Sequence, residues 1–152
     1  IQHTGKLYLF IGMLSNPIRF VRNQYLHPTF NLKDRFAIGD TFEATQVIDQ
    51  KQVFNPTKNP SDNVYATSHM INQVEYVCSS HLESKIEPHH GSVGYYVEVD
   101  HRKPVLLGET VQIISEIVEL TDRKATFKTL VFRNDDLIST GTHKRAIVRF
   151  DH

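Results

Sequence analysis

The sequence is poor in several features that define large classes of protein. Its single cysteine, Cys78, rules out a disulfide within the chain, so we expect a reducing compartment, either the cytoplasm or the mitochondrial matrix. Its longest apolar run, residues 7–14, is shorter than the roughly 18 residues that a membrane-spanning helix needs. We therefore expect neither a disulfide-stabilised secreted protein nor a membrane partner.

Net charge is absent as well. The chain has 17 Lys and Arg residues and 17 Asp and Glu residues, whereas a nucleic-acid-binding protein needs a surplus of positive charge to neutralise phosphates. We therefore expect no nucleic-acid partner. What the chain does have is 152 residues that are 39% hydrophobic, enough material for one domain with a core of its own.

The charge is unevenly distributed, and this sets the first segment apart. Residues 1–33 contain Lys and Arg but no Asp or Glu. From Met13 the segment reads MLSNPIRFVRNQY, a mixture of Arg, Ser and apolar residues that is typical of a transit peptide. The alternative is a strand or loop packed on the edge of the domain. We predict an N-terminal extension at residues 1–35, with a transit peptide as one of its two interpretations, and one folded domain at residues 36–152.

The spacing of apolar residues predicts an α+β domain. Apolar residues recur every three or four positions over residues 66–86, which indicates one long helix. Residues 54–63 are rich in Pro and Asn and predict a loop or lid. Alternating apolar and polar residues predict antiparallel strands on both sides of the helix, at residues 38–48, 93–100, 110–120, 124–133 and 137–150.

Three polar residues in these elements are candidates for catalysis. Thr67 and Glu75 are eight residues apart on the predicted helix, about two turns, and so lie on roughly the same side. His101 follows the strand at residues 93–100. A hydroxyl, a carboxylate and an imidazole can together orient a substrate, activate a nucleophile and transfer a proton. Taken singly, each has an ordinary explanation: a helix N-cap for Thr67, a surface position for Glu75 and a loop position for His101.

The remaining reactive residues match no catalytic or metal-binding pattern. The chain has nine histidines but no HExxH or paired CxxC spacing, so we predict no metal site and no cofactor. Cys78 and His81 are three residues apart on an apolar helix, which favours a buried core cysteine over a thiol nucleophile. The glycines of residues 91–96 open a strand and lack the lysine of a phosphate-binding loop.

The spacing of these residues, and the closing segment GTHKRAIVRF, make residues 38–150 resemble the hotdog-fold thioesterases, in particular the branch named for fluoroacetyl-CoA thioesterase. In that branch a Thr, a Glu eight residues on and a His 26 residues beyond the Glu form the catalytic set, and these match Thr67, Glu75 and His101. A glycine between them matches Gly94. The branch also ends in a Gly-Thr-His-x-Arg-Ala signature, in which the Arg near the site matches Arg145.

The resemblance implies a fold, an activity and partners. The fold is an antiparallel sheet wrapped around one long central helix, and the protein is a homodimer or a dimer of dimers with its sites between subunits. The activity is hydrolysis of an acyl-CoA to the free acid and CoA, with the backbone N–H groups near Gly94 holding the carbonyl oxygen. Because CoA carries phosphates, Arg102, Lys103, Lys144 and Arg145 are candidates to contact them, and Arg145 is alternatively a substrate-binding residue closer to the site.

Several alternatives stay open at the level of sequence. Glu75 can attack the thioester directly, forming a mixed anhydride, or activate a water molecule as a general base. The lid carries Lys58 and Ser61 where the fluoroacetate-specific enzyme has phenylalanines, so we predict a small or short acyl group without naming it. A non-catalytic acyl-CoA-binding hotdog protein is the alternative function. A hydratase or dehydratase of the same fold would need a differently spaced Asp and His, which the chain lacks.

Overall fold

The computed structural model describes residues 26–150, so the predicted transit peptide lies outside the described residues. The main elements, in chain order, are β1 (Thr41–Val47), β2 (Val53–Phe54), β3 (Val64–Tyr65), helix α1 (Thr67–Glu83), β4 (His90–His101), β5 (Thr110–Leu120), β6 (Lys124–Arg133) and β7 (Asp136–Arg149). The predicted α+β layout is confirmed. The pair β2 and β3 was not predicted, because strands of two residues are too short to show alternation.

Five of the strands form one antiparallel sheet in the order β1-β5-β6-β7-β4. Consecutive strands β5, β6 and β7 are joined by tight turns, as the polar residues between them predict. Strands β1 and β4 are the two edges of this sheet, so each has one long side that no other strand of the described chain pairs with. Edge strands of this length invite pairing with another chain.

Helix α1 packs across the inner face of the sheet and divides the core into two clusters. The first cluster surrounds Met70 and Val74 in the first half of the helix and includes Val97 and Val99 of β4. The second cluster surrounds the last turns of the helix and consists of Leu32, Phe36, Cys78, Leu82, Ile117, Ala125, Phe127 and Ile147. This is the sheet wrapped around one long helix that the family resemblance implies.

The segment before β1 contributes to the second cluster. Leu32 is fully buried there, and the short 3-10 turn that carries it is capped by Asn31, whose side chain accepts a hydrogen bond from the Lys33 backbone N–H at 2.9 Å. Earlier in the chain, the backbone of Leu26 pairs with that of Arg149. Residues 26–35 thus pack on the domain edge, while the boundary near residue 35 stays a prediction.

The predicted lid is a loop held by its own side chains. Asn55 donates to the Asn59 carbonyl at 2.7 Å and accepts from the backbone N–H groups of Thr57 and Lys58 at 3.0 and 2.6 Å. Lys58 adopts a left-handed backbone conformation, with φ at 67°, at the tip of this turn. Both residues that replace the family's phenylalanines, Lys58 and Ser61, are exposed. Within residues 26–150, no helix is both long and apolar enough to cross a membrane.

Candidate active site

Thr67 and His101 form a hydrogen-bonded pair. Thr67 is the first residue of α1, and the N-cap position belongs to Ala66, which has no side-chain cap bond. The Thr67 hydroxyl is therefore not an N-cap, and it lies 2.8 Å from Nδ1 of His101. His101 is the last residue of β4 and is buried. The structure thus joins two of the three predicted catalytic side chains, and we call them the hydroxyl–imidazole pair.

Tyr65 forms one wall beside this pair. Its ring meets the His101 ring edge-on, with centroids 6.4 Å apart, and its hydroxyl donates to the side-chain carbonyl of Gln73. Burial raises the pKa of Tyr65 above its ordinary value, so the phenol stays a neutral hydrogen-bond donor. The imidazole is therefore held from one side by a hydroxyl and packed from another by an aromatic ring.

Glu75 lies elsewhere on the helix. Eight residues of helix place its Cα about 12 Å along the axis from that of Thr67. Glu75 is half-buried, and its electrostatic neighbours are Cys78 and Arg145. Burial raises the pKa of the Cys78 thiol, with a smaller contribution from Glu75 and an opposing one from Arg145. A neutral, fully buried thiol is a poor nucleophile, so the prediction of a buried core cysteine is confirmed.

Arg145 belongs to a network at the start of β4. Its Nε donates to the Ser92 hydroxyl at 2.8 Å, its Nη2 donates to the Ser92 carbonyl at 2.9 Å, and its Nη1 lies 3.1 Å from Nε2 of His143. Nδ1 of His143 in turn lies 2.7 Å from the Tyr96 carbonyl. Burial lowers the pKa of Arg145, and Cys78, Glu75 and Glu83 oppose that change.

Gly94 lies directly beneath this network. The register between β4 and β7 shifts between Gly94 and Tyr96, a bulge that leaves Tyr95 as the extra residue. A Cβ on Gly94 would lie 2.9 Å from Cε1 of His143 and 3.1 Å from Nη1 of Arg145. Glycine is therefore needed here because side chains of the same chain occupy the space. We call Ser92, Gly94, His143 and Arg145 the arginine group.

Within one chain the predicted site residues fall into two places. Seven residues of β4 separate Gly94 from His101, about 20 Å at the rise of a strand. The hydroxyl–imidazole pair lies at one end of this distance, and the arginine group, with Glu75 as an electrostatic neighbour, lies at the other. Two cavities of the described chain, of about 500 and 620 Å³, are lined by none of these residues. The first is lined by Asp100 and Thr142, which adjoin His101 and His143 in the sequence.

The remaining predicted binding residues are surface cations with partners. Arg102 pairs with Asp100 at 2.9 Å, and Lys103 pairs with Asp136. Lys144 lies over the Tyr96 ring, 5.2 Å from its centroid. Arg145 differs from these three because it is buried. Across residues 26–150 no group of three or more His, Cys, Asp or Glu side chains is arranged to hold a metal ion.

Ser92 and His143 are site residues that the motif reasoning did not single out. His143 is the third residue of the closing signature, where the resemblance drew attention to Arg145 only. Both face the helix side of the sheet, in register with inward residues of the adjoining strand. The alternation of inward and outward residues along β4 and β7 could have identified them, once the pairing of the two strands is known.

The chain has the hotdog fold. A structure of the fluoroacetyl-CoA thioesterase superposes with a TM-score of 0.68 at 24% identity, over 75% of this chain and 89% of that one. A hot-dog-like protein from Thermanaerovibrio acidaminovorans superposes with a TM-score of 0.71 at 17% identity, over 79% of this chain and 89% of the other. At these identities the similarities establish the fold.

The chain belongs to the fluoroacetyl-CoA-specific thioesterase family, whose model matches residues 48–151. A curated relative, the fluoroacetyl-CoA thioesterase of Streptantibioticus cattleyicolor, is 25% identical over 126 residues, which are 79% of this chain and 91% of the relative. The family resemblance inferred from the motifs is confirmed. The protein is an enzyme that hydrolyses thioesters, with acyl-CoA as its substrate class.

Proposed function

We propose that the protein hydrolyses a small acyl-CoA with Thr67, Glu75 and His101 as its catalytic residues. The observation that carries this proposal is the bond of 2.8 Å between the Thr67 hydroxyl and the His101 imidazole. It joins two side chains that are 34 residues apart in the sequence and that the family motif pairs. The hydroxyl orients the imidazole, which is then placed to transfer protons.

We infer that the complete site requires two copies of the chain. Gly94 lies too far from His101 of its own chain to act with it on one thioester, since the strand between them spans about 20 Å. Glu75 belongs with Gly94 in this respect, because both are neighbours of Arg145. Antiparallel pairing of β4 with β4 of a second copy, centred near Val97, brings His101 of one copy opposite Gly94 of the other. The available edge of β4 supports this arrangement.

The exposed apolar residues at this edge support the same arrangement. Tyr76 on α1 is 73% exposed, and Val93 on β4 is 38% exposed. Tyr76 adjoins Glu75 and Val93 adjoins Gly94 in the sequence, so a second copy that completes the site on β4 would approach exposed apolar side chains. A homodimer is the smallest assembly that does this, and a dimer of dimers contains the same interface.

In the assembled site Glu75 attacks the thioester carbonyl or removes a proton from an attacking water molecule. Either route places negative charge on the carbonyl oxygen, then breaks the carbon–sulfur bond and releases CoA as a thiolate that takes up a proton. His101 supplies or accepts the transferred proton. Direct attack needs a second step, in which water cleaves the mixed anhydride and regenerates the carboxylate.

We assign Arg145 to the reacting end of the substrate instead of the CoA phosphates. Its guanidinium is buried against Gly94, whereas a phosphate contact requires an accessible cation. A fixed positive charge beside the Gly94 backbone stabilises both the Glu75 carboxylate and the oxyanion that develops on the carbonyl. Of the other candidates, Lys144 remains available for the CoA phosphates.

The proposed acyl group is small, in keeping with the fluoroacetyl group in the family's name. Selectivity for fluoroacetyl-CoA over other short acyl-CoAs is a separate property. A mutant of the fluoroacetyl-CoA thioesterase has been solved in complex with fluoroacetate and CoA. Lys58 and Ser61 offer this chain no aromatic cover in its lid, and both are exposed. We therefore propose that the enzyme accepts several short acyl-CoA substrates.

The test is release of the CoA thiol from short, halogenated, branched, long and aromatic acyl-CoAs. We expect hydrolysis of the short members and a loss of about 100- to 10,000-fold in kcat on Glu75→Gln, the range for removing a positioned acid or base. Glu43→Gln, an exposed carboxylate on β1, is the control and should match wild type. Equal turnover by Glu75→Gln and wild type would contradict the assignment of Glu75.

The alternative function, an acyl-CoA-binding protein without turnover, conflicts with the activity of the family. The same panel separates the two functions when binding is measured by calorimetry. Binding of CoA esters without thiol release from any of them would favour the binding protein, and release that depends on Glu75 would exclude it.

A further inference from the structure

We propose that His143 is a positioning residue that holds the Arg145 guanidinium over Gly94 and beside Glu75. This inference rests on the proposed function, because it concerns the same site. His143 is fully buried on β7 and touches neither Thr67 nor His101 in the contacts of the described chain, so it is distinct from the hydroxyl–imidazole pair.

The hydrogen bonds of His143 determine its protonation state. The Arg145 guanidinium is a donor only, so Nε2 of His143, 3.1 Å from Nη1, must accept. Nδ1 must then carry the proton and donate it to the Tyr96 carbonyl at 2.7 Å. The imidazole is therefore neutral in one fixed tautomer. Consistently, burial and the Arg145 charge lower the pKa of His143 to about 4, against the opposing effect of the bond to Tyr96.

The two bonds of His143 connect the bulge of β4 to the guanidinium. Tyr96 is the first residue paired after the bulge, and Gly94 is the last residue paired before it. Through the Tyr96 carbonyl the imidazole fixes where the bulge lies, and through Nε2 it fixes one Nη of Arg145. Ser92 fixes the other side of the guanidinium through its hydroxyl and its carbonyl.

This arrangement leaves the guanidinium little freedom to turn. Three of its nitrogens have acceptors within the chain, and its five N–H groups lie in one rigid plane. The N–H groups that remain on Nη1 and Nη2 therefore point in directions set by His143 and Ser92. Removing the Nε2 acceptor frees Nη1, and the charge beside Gly94 is then no longer fixed in place.

The test compares two substitutions of similar size at His143. His143→Gln keeps a donor and an acceptor, whereas His143→Leu removes both. We expect His143→Leu to lower kcat by roughly 10- to 100-fold with KM little changed, the effect of a misplaced group that acts in the transition state. His143→Gln should recover a substantial part of that loss. His81→Leu, which replaces a buried histidine that packs against Phe36 and Phe127 of the second cluster, should leave kcat close to wild type.

A spectroscopic readout does not depend on turnover. In wild type we expect the Arg145 Nε–H and the Gly94 amide to give sharp, slowly exchanging NMR signals. His143→Leu should shift the Gly94 amide and broaden the Arg145 signal, and His143→Gln should preserve both. If wild type hydrolyses no acyl-CoA but these signals behave as expected, the proposed function fails while the positioning of Arg145 stands.

Two outcomes would overturn the inference. One is His143→Leu with wild-type kcat and unshifted signals, and the other is His143→Gln behaving no better than His143→Leu in a folded protein. If His143→Leu does not fold, Ser92→Ala provides the test from the other side of the guanidinium, since it removes only the hydroxyl acceptor of Nε. A folded Ser92→Ala protein with wild-type kcat and an unchanged Arg145 signal would then refute the role of the network.

Discussion

The two ends of β4 are built in opposite ways. At its last residue, the His101 imidazole is bonded to the Thr67 hydroxyl at the start of α1 and packs against the Tyr65 ring. Near its start, Gly94 lies under a guanidinium and an imidazole that are tied to each other and to the backbone. The first end presents an imidazole that is bonded to a side-chain hydroxyl. The second end presents a guanidinium that is fixed by three hydrogen-bond acceptors.

In the proposed mechanism, one end of β4 transfers protons and the other end stabilises the oxyanion. Proton transfer needs a side chain that can take up and release a proton, and an imidazole is such a group. Stabilising an oxyanion needs fixed charges and dipoles that do not reorganise during the reaction, and the arginine group is held in that way. Two such environments on one strand can serve the same substrate only when a second strand brings them together, which is the reason for proposing a dimeric site.

The largest expected effect is the recovery of activity when two inactive variants are mixed. This experiment tests whether one site takes its residues from two chains. His101→Ala and Glu75→Gln should each be nearly inactive as homodimers. Mixed dimers carry both changes in one site and neither in the other, so refolding the two together should restore about a quarter of wild-type activity. Activity is measured as CoA thiol release before and after mixing. If the mixture is as inactive as its components, each site lies within one chain and the proposed pairing is wrong.

Acid should destabilise the arginine-group end of β4. In the unfolded chain His143 takes up a proton below its ordinary pKa of 6.5, whereas in the folded protein it does so only below about 4. The contribution to stability is therefore complete above pH 6.5 and is lost as the pH falls towards 4, by about 1.4 kcal/mol per pH unit and on the order of 3 kcal/mol in all.

Urea unfolding of wild type and His143→Gln at pH 7 and pH 4.5 measures this effect. Wild type should lose more stability between the two pH values than the variant does. His81, whose pKa is also lowered by burial, contributes in the same direction in both proteins. The exposed His69→Gln is the control for removing a histidine. Parallel loss in wild type and His143→Gln would show that His143 is not the group responsible.

Gly94→Ala should damage the rigid end without removing any polar group. The new methyl would lie 2.9 Å from Cε1 of His143, closer than two carbon atoms can pack, so the imidazole and the guanidinium must move. A displacement of this kind is expected to cost roughly 10- to 100-fold in kcat. Thermal unfolding, measured alongside, distinguishes a displaced site from a lost fold. Unchanged kcat in the variant would mean that the substrate does not use this surface.

Thr67→Val should have the smallest effect, because it removes one hydrogen bond to His101 and leaves the side chains of His101 and Glu75 unchanged. A net contribution of about 1 kcal/mol corresponds to a loss of roughly fivefold in kcat. The measurement pairs kcat with the ring-nitrogen NMR shifts of His101, which should show a mixed tautomer. A loss of a thousandfold would instead indicate that the hydroxyl contacts the reacting atoms.

Periodicity was enough to predict the helix and the five strands of the sheet. The three-and-four spacing around Met70 and Val74 and the alternation of β5 and β6 are local patterns that burial on one face imposes. The motif also predicted Thr67 and His101 correctly as neighbours, although only through the family resemblance. The rise of a helix also gives, from the sequence alone, the separation of about 12 Å between the Cα atoms of Thr67 and Glu75.

The arginine group could not be predicted in the same way. Its contacts depend on which residue of β4 faces which residue of β7, and the bulge at Tyr95 changes that register by one residue. No local pattern encodes the position of a bulge, and a slip of one residue would turn His143 away from the Tyr96 carbonyl. The sequence therefore left Arg145 open between a phosphate contact and a residue near the site, and its burial supports the second role.

The backbone pairing of Leu26 with Arg149 has a consequence for the order of folding. The two residues lie near opposite ends of the described chain and exchange hydrogen bonds of 3.0 Å in both directions. Contacts between such distant parts of a chain close late, because the entropy of ordering the intervening chain must first be offset. The segment that carries Leu32 therefore docks onto a sheet that already exists, and it is the part expected to detach first in native-state hydrogen exchange.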